Sequence, residues 1–130
     1  MATIFSKIIN GEIPSYKIAE NDRFFAFLDI NPLSKGHTLV VPKQETDYLF
    51  DLDDTLLAEM IVFAKQIACG IKQAIPCTRV GVMVVGLEVP HAHIHLIPIQ
   101  KESDMSLSNP RLKLSKEEFA EIAAKIRETM

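Results

Sequence analysis

The sequence of 130 residues has no tryptophan and only two cysteines, Cys69 and Cys77. Two thiols cannot form the disulfide framework of a small secreted domain, so we expect reduced cysteines and a cytoplasmic protein. No apolar run approaches the roughly 18–20 residues that a membrane helix needs, and we expect no membrane partner. The opening residues MATIFSKIING contain Lys7 and no long apolar stretch, so we also expect no signal peptide.

The chain also lacks an excess of positive charge, since 14 Lys and Arg against 17 Asp and Glu give a net charge of −3. A nucleic acid would find no basic field, so we expect no such partner, whereas a small phosphorylated ligand needs only a local site. What the chain does have is apolar content, 48% of its residues, which is typical of a globular protein and excludes disorder as its main state. Its length predicts one domain, residues 1–130.

The spacing of apolar residues predicts three helices and five strands. A short helix is expected at 5–10, a long central helix at about 54–74 and a C-terminal helix at about 116–128, where Ser115 and Glu118 form a capping box. Strands are expected at 16–18, 24–30, 37–42, 79–85 and 91–99. Short turns between consecutive strands favour antiparallel pairing, so the predicted class is α+β. We expect 79–85 to be a buried strand, Cys69 to be buried in the long helix and Cys77 to lie in a loop.

Three of the four histidines fall within five residues, His91-Ala92-His93-Ile94-His95. In a strand they would share one face, about 6.5–7 Å apart, with the alternate apolar residues turned to the core. A strand that places imidazoles at three consecutive same-face positions is poorly suited to core packing. Histidine is the side chain best suited to chemistry near neutral pH, so we interpret this run as a functional site.

Two kinds of chemistry fit these histidines. Metal binding would use His-x-His, but it needs further ligands, and neither HExxH nor CxxC is present. Nucleophilic catalysis at phosphorus would use one imidazole as nucleophile, with its neighbours and backbone amides holding phosphate oxygens. Gly86 and the segment GLEVP before the histidines offer a tight backbone turn for a phosphate, which modestly favours catalysis.

The segment HAHIHLI (91–97) matches the histidine-triad pattern His-φ-His-φ-His-φ-φ, in which φ is apolar. The longer GLEVPHAHIHLIP and the opening half TIFSKIINGEIPSYKIAENDRFFAFLDINPLSKGHTLVVPK occur in the same order and spacing as in one family. On these residues the chain resembles the histidine-triad (HIT) superfamily, in its bacterial nucleotide-binding and hydrolase branch, over residues 3–100. The resemblance implies a HIT-like fold with a five-stranded antiparallel sheet, and a homodimer in which the two sheets join.

The resemblance further implies an enzyme that binds a purine nucleotide and cleaves a bond at its α-phosphorus. His93 matches the nucleophile, which forms a nucleotidyl-histidine that water then hydrolyses. His95 matches the histidine that contacts the α-phosphate oxygens, His91 a supporting position, and His37 a separate histidine beside the triad. Attack requires a neutral ring with one free nitrogen, so we expect an acceptor, such as a backbone carbonyl, at the other nitrogen of His93.

Other positions are implied to bind the nucleotide. Asp29 matches the residue that hydrogen-bonds the ribose hydroxyls, and Gly86 the glycine whose backbone approaches the phosphate. Four apolar residues match the lining of the base pocket: Phe5, Ile8, Ile30 and Leu39. Ile8 and Leu39 fit ordinary core positions equally well.

The chain departs from the family on the side of the leaving group. Val80 stands near the place of a frequent asparagine, and Leu87 near that of a frequent glutamine. Glu88 replaces a serine near the leaving group, where its carboxylate would repel a polyphosphate, contact the dimer partner or act on the leaving group's proton. Ser6 lies where some relatives bind zinc through cysteines, so we expect no structural zinc, and we expect no cofactor.

These observations leave three hypotheses. The first is a nucleoside phosphoramidase or dinucleoside-polyphosphate hydrolase acting through His93. The second is a nucleotide-binding module without chemistry, which the departures at Val80, Leu87 and Glu88 motivate. The third is a metal protein that uses the histidines as ligands. The intact triad favours the first.

Overall fold

The computed structural model describes residues 2–130 as a five-stranded antiparallel sheet with three α-helices. The strands are β1 (Lys17–Glu20), β2 (Phe24–Leu28), β3 (Thr38–Pro42), β4 (Arg79–Met83) and β5 (Ile94–Ile99). The helices are α1 (Ile4–Ile9), α2 (Asp54–Ala74) and α3 (Lys116–Glu128), with 3-10 turns at Leu49–Asp51 and Glu102–Met105. The strand order is β1-β2-β3-β5-β4, which confirms the predicted α+β class and sheet.

Local signals in the sequence account for the ends of several elements. The carboxylate of Asp53 accepts the Leu56 N–H and begins α2, while the Ser115 hydroxyl and the Glu118 carboxylate form the predicted capping box of α3. The side chain of Asn21 accepts the backbone N–H groups of Arg23 and Phe24, which closes the hairpin between β1 and β2. These bonds satisfy N–H groups that the elements themselves leave free.

Alternation along the strands divides the core between the two faces of the sheet. One face carries Ala26, Val40 and Leu96, which pack with the apolar stripe of α2 and with α3. The other face carries Phe25, Phe27, Leu39 and Val41, which pack with Phe5 of α1. The long helices thus cover one face, and within residues 2–130 the short α1 and Val89 pack on the other. No helix among residues 2–130 is long and apolar enough to cross a membrane.

Four expectations need correction. The strand expected at 91–99 begins at Ile94, so His91 and His93 precede it. The strand expected at 79–85 ends at Met83 and is half-exposed, because β4 lies at the edge of the sheet. The strand expected at 24–30 ends at Leu28. Cys69 is exposed, because it lies two residues, or about 200°, around α2 from the buried Ile67, whereas Cys77 lies in a loop as expected.

Candidate active site

The four histidines form one imidazole cluster (His37, His91, His93 and His95) on the face of the sheet that α1 covers. His95 is the second residue of β5 and pairs with Leu39 of β3, so the two side chains share that face. His37 directly precedes β3, and the ring of Phe5 lies 5.8 Å from that of His91 and 5.0 Å from that of His93. Three chain segments therefore converge on the cluster.

His93 is held with one ring nitrogen bonded and the other free. Its Nδ1 lies 2.8 Å from the carbonyl oxygen of His91, which can only accept, so Nδ1 carries the proton. In the neutral ring the lone pair is then on Nε2. The expected backbone carbonyl is therefore present, and it leaves His93 with a nucleophilic nitrogen.

Hydrogen bonds also fix the proton positions of His37 and His95. The backbone N–H of Leu33 donates to Nδ1 of His37 over 3.0 Å, so a neutral His37 carries its proton on Nε2. Nε2 of His37 lies 3.0 Å from Nδ1 of His95, so His37 donates this hydrogen bond and His95 accepts it. His95 in turn carries its proton on Nε2. We call this chain, from Leu33 through His37 to His95, the histidine relay.

The buried surroundings keep the relay neutral. Burial, followed by the charges of His95 and Arg111, lowers the pKa of His37 to about 3. Burial, followed by the charges of His93 and Arg111, lowers the pKa of His95 to about 4. Both rings are therefore neutral at pH 7, which is the state that the hydrogen-bond pattern requires.

His91 is held by two hydrogen bonds and in turn orients His93. Its Nε2 donates to the carbonyl oxygen of Pro42 at 2.8 Å, and its Nδ1 lies 2.7 Å from the Thr3 hydroxyl, which donates to it. Burial lowers the pKa of His91. The carbonyl that accepts the His93 proton belongs to His91, so a fixed His91 also fixes the orientation of the His93 ring.

Two ring nitrogens remain open. Nε2 of His93 and Nε2 of His95 form no hydrogen bond within residues 2–130. Every side-chain nitrogen or oxygen in that range that is fully buried does have a hydrogen-bond partner. These two atoms are therefore accessible from the surface. The ring centroids of the two residues are 4.9 Å apart. The site presents a lone pair and an N–H donor side by side.

The structure brings together most of the other residues that the resemblance indicated. Phe5, Ile8 and Leu39 belong to the apolar cluster beneath α1. Ile30 does not belong to it and exposes 65% of its surface. The carboxylate of Asp29 lies 3.6 Å from Nε2 of His37, and burial raises its pKa.

Gly86, Leu87 and Glu88 lie in a largely exposed segment before the cluster. Gly86 has a φ of +77°, a left-handed conformation that favours glycine, and Leu87 exposes 89% of its surface. Glu88 is exposed, and its charge adds to the effect of burial in raising the pKa of Asp29. Val80 lies in β4, opposite Pro98 of β5, away from the cluster.

One group of side chains has the composition of a metal site. Ligand atoms of Asp29, His37 and His95 all lie within 4.8 Å of one another. An ion there would have to displace the proton shared between His37 and His95, and among residues 2–130 it would find only these three ligands. The site is better built as a hydrogen-bond chain, although the expectation of a metal-free protein stays a prediction.

Two contributors to the site went unnoticed in the sequence. Thr3 bonds His91 across 88 residues of chain, and Glu45 accepts from the Thr3 backbone N–H at 2.8 Å and the Ser6 hydroxyl at 2.6 Å. Both polar residues stand near element ends, where caps and turns are frequent, so no local pattern distinguishes them.

Comparison with known proteins identifies relatives of this chain. The model of the HIT domain matches residues 10–102. An uncharacterized HIT-like protein of Borreliella burgdorferi is 38% identical over 131 residues, covering 95% of this chain and 94% of that protein. The adenosine 5′-monophosphoramidase hnt1 of Schizosaccharomyces pombe is 34% identical over 98% of this chain and 100% of its own. The crystal structure of a Hit-like protein involved in cell-cycle regulation from Bartonella henselae, solved with an unknown ligand, is 34% identical and superposes with a TM-score of 0.84, covering 98% of this chain and 96% of that one.

Proposed function

The chain belongs to the HIT domain family, and we propose that it hydrolyses purine nucleoside phosphoramidates or dinucleoside polyphosphates at the α-phosphorus through His93. The observation that carries this proposal is the free Nε2 of His93 beside the N–H of His95. Two groups of opposite character at one opening suit attack on a phosphate whose oxygens must be held. The phosphoramidase name of the fission-yeast relative supports the same class of reaction.

The proposed reaction has two steps. Nε2 of His93 forms a bond to the α-phosphorus, and the bond to the leaving amine or phosphate breaks with its electron pair. A leaving amine takes up a proton from solvent, and the water of the second step returns one when it supplies its hydroxyl group. The ring becomes cationic, and its Nδ1–H bond to the His91 carbonyl stabilises that charge. Water then attacks the phosphorus of the nucleotidyl-histidine, the P–N bond breaks, and the nucleoside monophosphate leaves with the hydroxyl group of the water.

The remaining residues would bind the nucleotide. The N–H of His95 donates to an α-phosphate oxygen and stabilises the charge that develops there. The Asp29 carboxylate accepts from the ribose hydroxyls, and the base lies against Phe5, Ile8, Leu39 and the exposed Ile30. Glu88 and Leu87 face the leaving group, where a carboxylate disfavours a polyphosphate and favours an uncharged amine.

The test is phosphorus NMR of adenosine 5′-phosphoramidate and, separately, of a diadenosine polyphosphate, each with the intact protein, His93→Ala and His93→Asn. The asparagine keeps an N–H donor near the His91 carbonyl but is not a nucleophile, so it separates chemistry from folding. We expect AMP from the intact protein, at least about a thousandfold less from either variant, and AMP binding in all three. Turnover by His93→Asn would overturn the proposal.

The second candidate is a nucleotide-binding module without chemistry. It is favoured by the exposed Leu87, which offers no polar group to a leaving group, and by the exposed Glu88, whose carboxylate repels a phosphate. AMP binding by the intact protein without turnover, and without a nucleotidyl adduct in acid-quenched mass spectra, would select it.

We also propose a homodimer. The edge strand β4 leaves one row of backbone groups unpaired within the described chain, and Val82 on it exposes 54% of its surface. An open, apolar edge strand favours pairing with a second copy. Sedimentation equilibrium should give twice the mass of one chain, and a monomer at micromolar concentration would contradict the proposal.

A further inference from the structure

The segment after β5 runs back across the loop between β2 and β3. The guanidinium of Arg111 donates through Nη1 to the carbonyl oxygen of Asn31 at 2.6 Å and through Nη2 to that of Leu107 at 3.3 Å. The backbone N–H of Leu112 donates to the carbonyl oxygen of Pro32 at 2.9 Å. Residues 107–112 therefore hold two consecutive carbonyls of this loop.

The same loop begins the histidine relay. The Asn31 N–H donates to Oδ1 of Asp29 at 2.8 Å, and two residues later the Leu33 N–H donates to Nδ1 of His37. Without that donor, neutral His37 could carry its proton on either nitrogen. His95 would then lose the donor that keeps its own proton on Nε2, at the open side of the site.

We propose that Arg111 is a positioning residue that holds the loop at Asn31, so that the Leu33 N–H fixes the proton positions of His37 and His95. Arg111 contacts neither reacting atom and acts through the backbone and the relay. Its consequence for turnover rests on the proposed function, but its effect on the relay does not. The residue lies outside the part that the family model matches, residues 10–102.

The guanidinium also acts on the relay through its charge. Burial raises the pKa of Asp29, and the positive charge of Arg111 opposes that rise. Burial and a neighbouring histidine lower the pKa values of His37 and His95, and the charge of Arg111 lowers both further. A cation there favours the ionised Asp29 and the neutral histidines together. Arg111 is itself half-buried, which reduces the screening of its charge by water.

The chain provides a matched control in Arg127. Its guanidinium also donates to a backbone carbonyl over 2.6 Å, that of Lys17, and also ties the C-terminal part of the chain to the sheet. Lys17 is in β1, whereas the relay lies at β3 and β5. Losing Arg127 removes a contact of the same kind without touching the relay.

The experiment is a long-range proton–nitrogen NMR spectrum of the histidine rings, recorded near pH 7 on the intact protein, Arg111→Ala and Arg127→Ala. In the intact protein we expect His37 and His95 to be protonated on Nε2 only and His93 on Nδ1. In Arg111→Ala the His37 and His95 signals should move toward a mixture of the two tautomers, while His93 stays unchanged. Arg127→Ala should leave all three as they are.

Turnover of the phosphoramidate gives the second readout. For Arg111→Ala we expect kcat to fall roughly tenfold with little change in KM, because a misplaced donor weakens transition-state stabilisation more than binding. Arg111→Lys keeps the charge and a donor group, so it should change the same NMR signals by less than Arg111→Ala does. If the alanine variant fails to fold, the lysine variant replaces it in the test. Three results would each overturn the inference. The His37 and His95 signals could stay unchanged in both Arg111→Ala and Arg111→Lys, they could change equally in Arg127→Ala, or the intact protein could already show mixed tautomers. A protein that shows the tautomer change but no turnover would refute only the proposed function.

Discussion

The imidazole cluster and the segment that leads into it, residues 84–90, adjoin in the chain but differ in construction. In the cluster the inner nitrogens have fixed partners, and all four rings are buried. In the segment Val84, Val85 and Leu87 expose between 38% and 89% of their surface. Its backbone is held near the cluster by a turn in which the His91 N–H donates to the Val89 carbonyl at 2.8 Å.

The difference separates two tasks of the proposed enzyme. Attack on the α-phosphorus needs one nitrogen free and one donor at defined places, which a buried network of hydrogen bonds provides. The leaving group varies among substrates, and an exposed segment can change its side chains without disturbing that network. Substitutions in the cluster should therefore affect both stability and chemistry, whereas those in the segment should affect substrate choice.

After the loss of His93 itself, the largest effect should come from breaking the relay at His37. His37→Ala removes the partner of the Leu33 N–H and of Nδ1 of His95 and leaves a cavity at a fully buried position. We expect the free energy of unfolding in urea to fall by about 2–4 kcal/mol and kcat to fall about a hundredfold. His37→Gln, which keeps a donor and an acceptor, is the control and should lose less on both counts. Wild-type kcat in His37→Ala would contradict the relay.

The next-largest effect that we expect is a fall in the free energy of unfolding at acidic pH. His37 and His95 have pKa values of about 3 and about 4 in the folded protein, below the ordinary value of 6.5. Protonation below pH 6.5 therefore favours the unfolded chain, and the free energy of unfolding should fall by up to about 1.4 kcal/mol per histidine for each pH unit, until the folded values are reached. Urea unfolding at pH 7, 6 and 5 checks this slope. His37→Gln should have a shallower slope, and equal slopes would remove His37 as the cause.

A smaller effect is expected at Gly86 in the segment. Gly86→Ala places a Cβ in open space, but a φ of +77° strains any L-amino acid with a side chain. We expect a loss of about 1 kcal/mol in the free energy of unfolding. If the alanine instead shifts the segment, the loss will be smaller and kcat for both substrates will fall. Thermal unfolding and steady-state kinetics on one preparation distinguish the two outcomes.

The smallest effect on stability, and the sharpest contrast with the cluster, is expected for Glu88→Ser. Removing an exposed carboxylate should change the free energy of unfolding by less than about 0.5 kcal/mol. It should raise kcat/KM for a diadenosine polyphosphate relative to the phosphoramidate by about three- to tenfold, because repulsion of the leaving group is removed. The ratio of the two kcat/KM values is the measurement, with Glu128→Ser, an exposed carboxylate in α3, as control. An unchanged ratio would remove Glu88 from the leaving-group side.

Features that depend on neighbours in the chain were predicted well. The stripe of apolar residues on α2 and the box of Ser115 and Glu118 follow from helix periodicity and from free N–H groups at a helix start. The predictions of strand ends and of burial failed where they depend on the position of a strand within the sheet. The β-branched run of β4 became a half-exposed edge strand, and His91 and His93 fell before β5 although their alternation suggested a strand.

By itself, the sequence determined the class of the fold and identified the run of histidines as a candidate site. The choice of His93 as nucleophile came from the resemblance to a known family and stays a prediction. Periodicity sets which faces are apolar, and three imidazoles at alternate positions are poorly suited to core packing, so the fold class and the candidate site follow from local spacing. Only the tertiary structure decided which nitrogen of each ring holds a proton. That choice depends on single donors and acceptors brought together from distant parts of the chain, such as His37 and His95, 58 residues apart. The hydrogen-bond partner of a side chain cannot be predicted from the neighbouring residues in the sequence, because the bond depends on distances that only the packed sheet and loops establish.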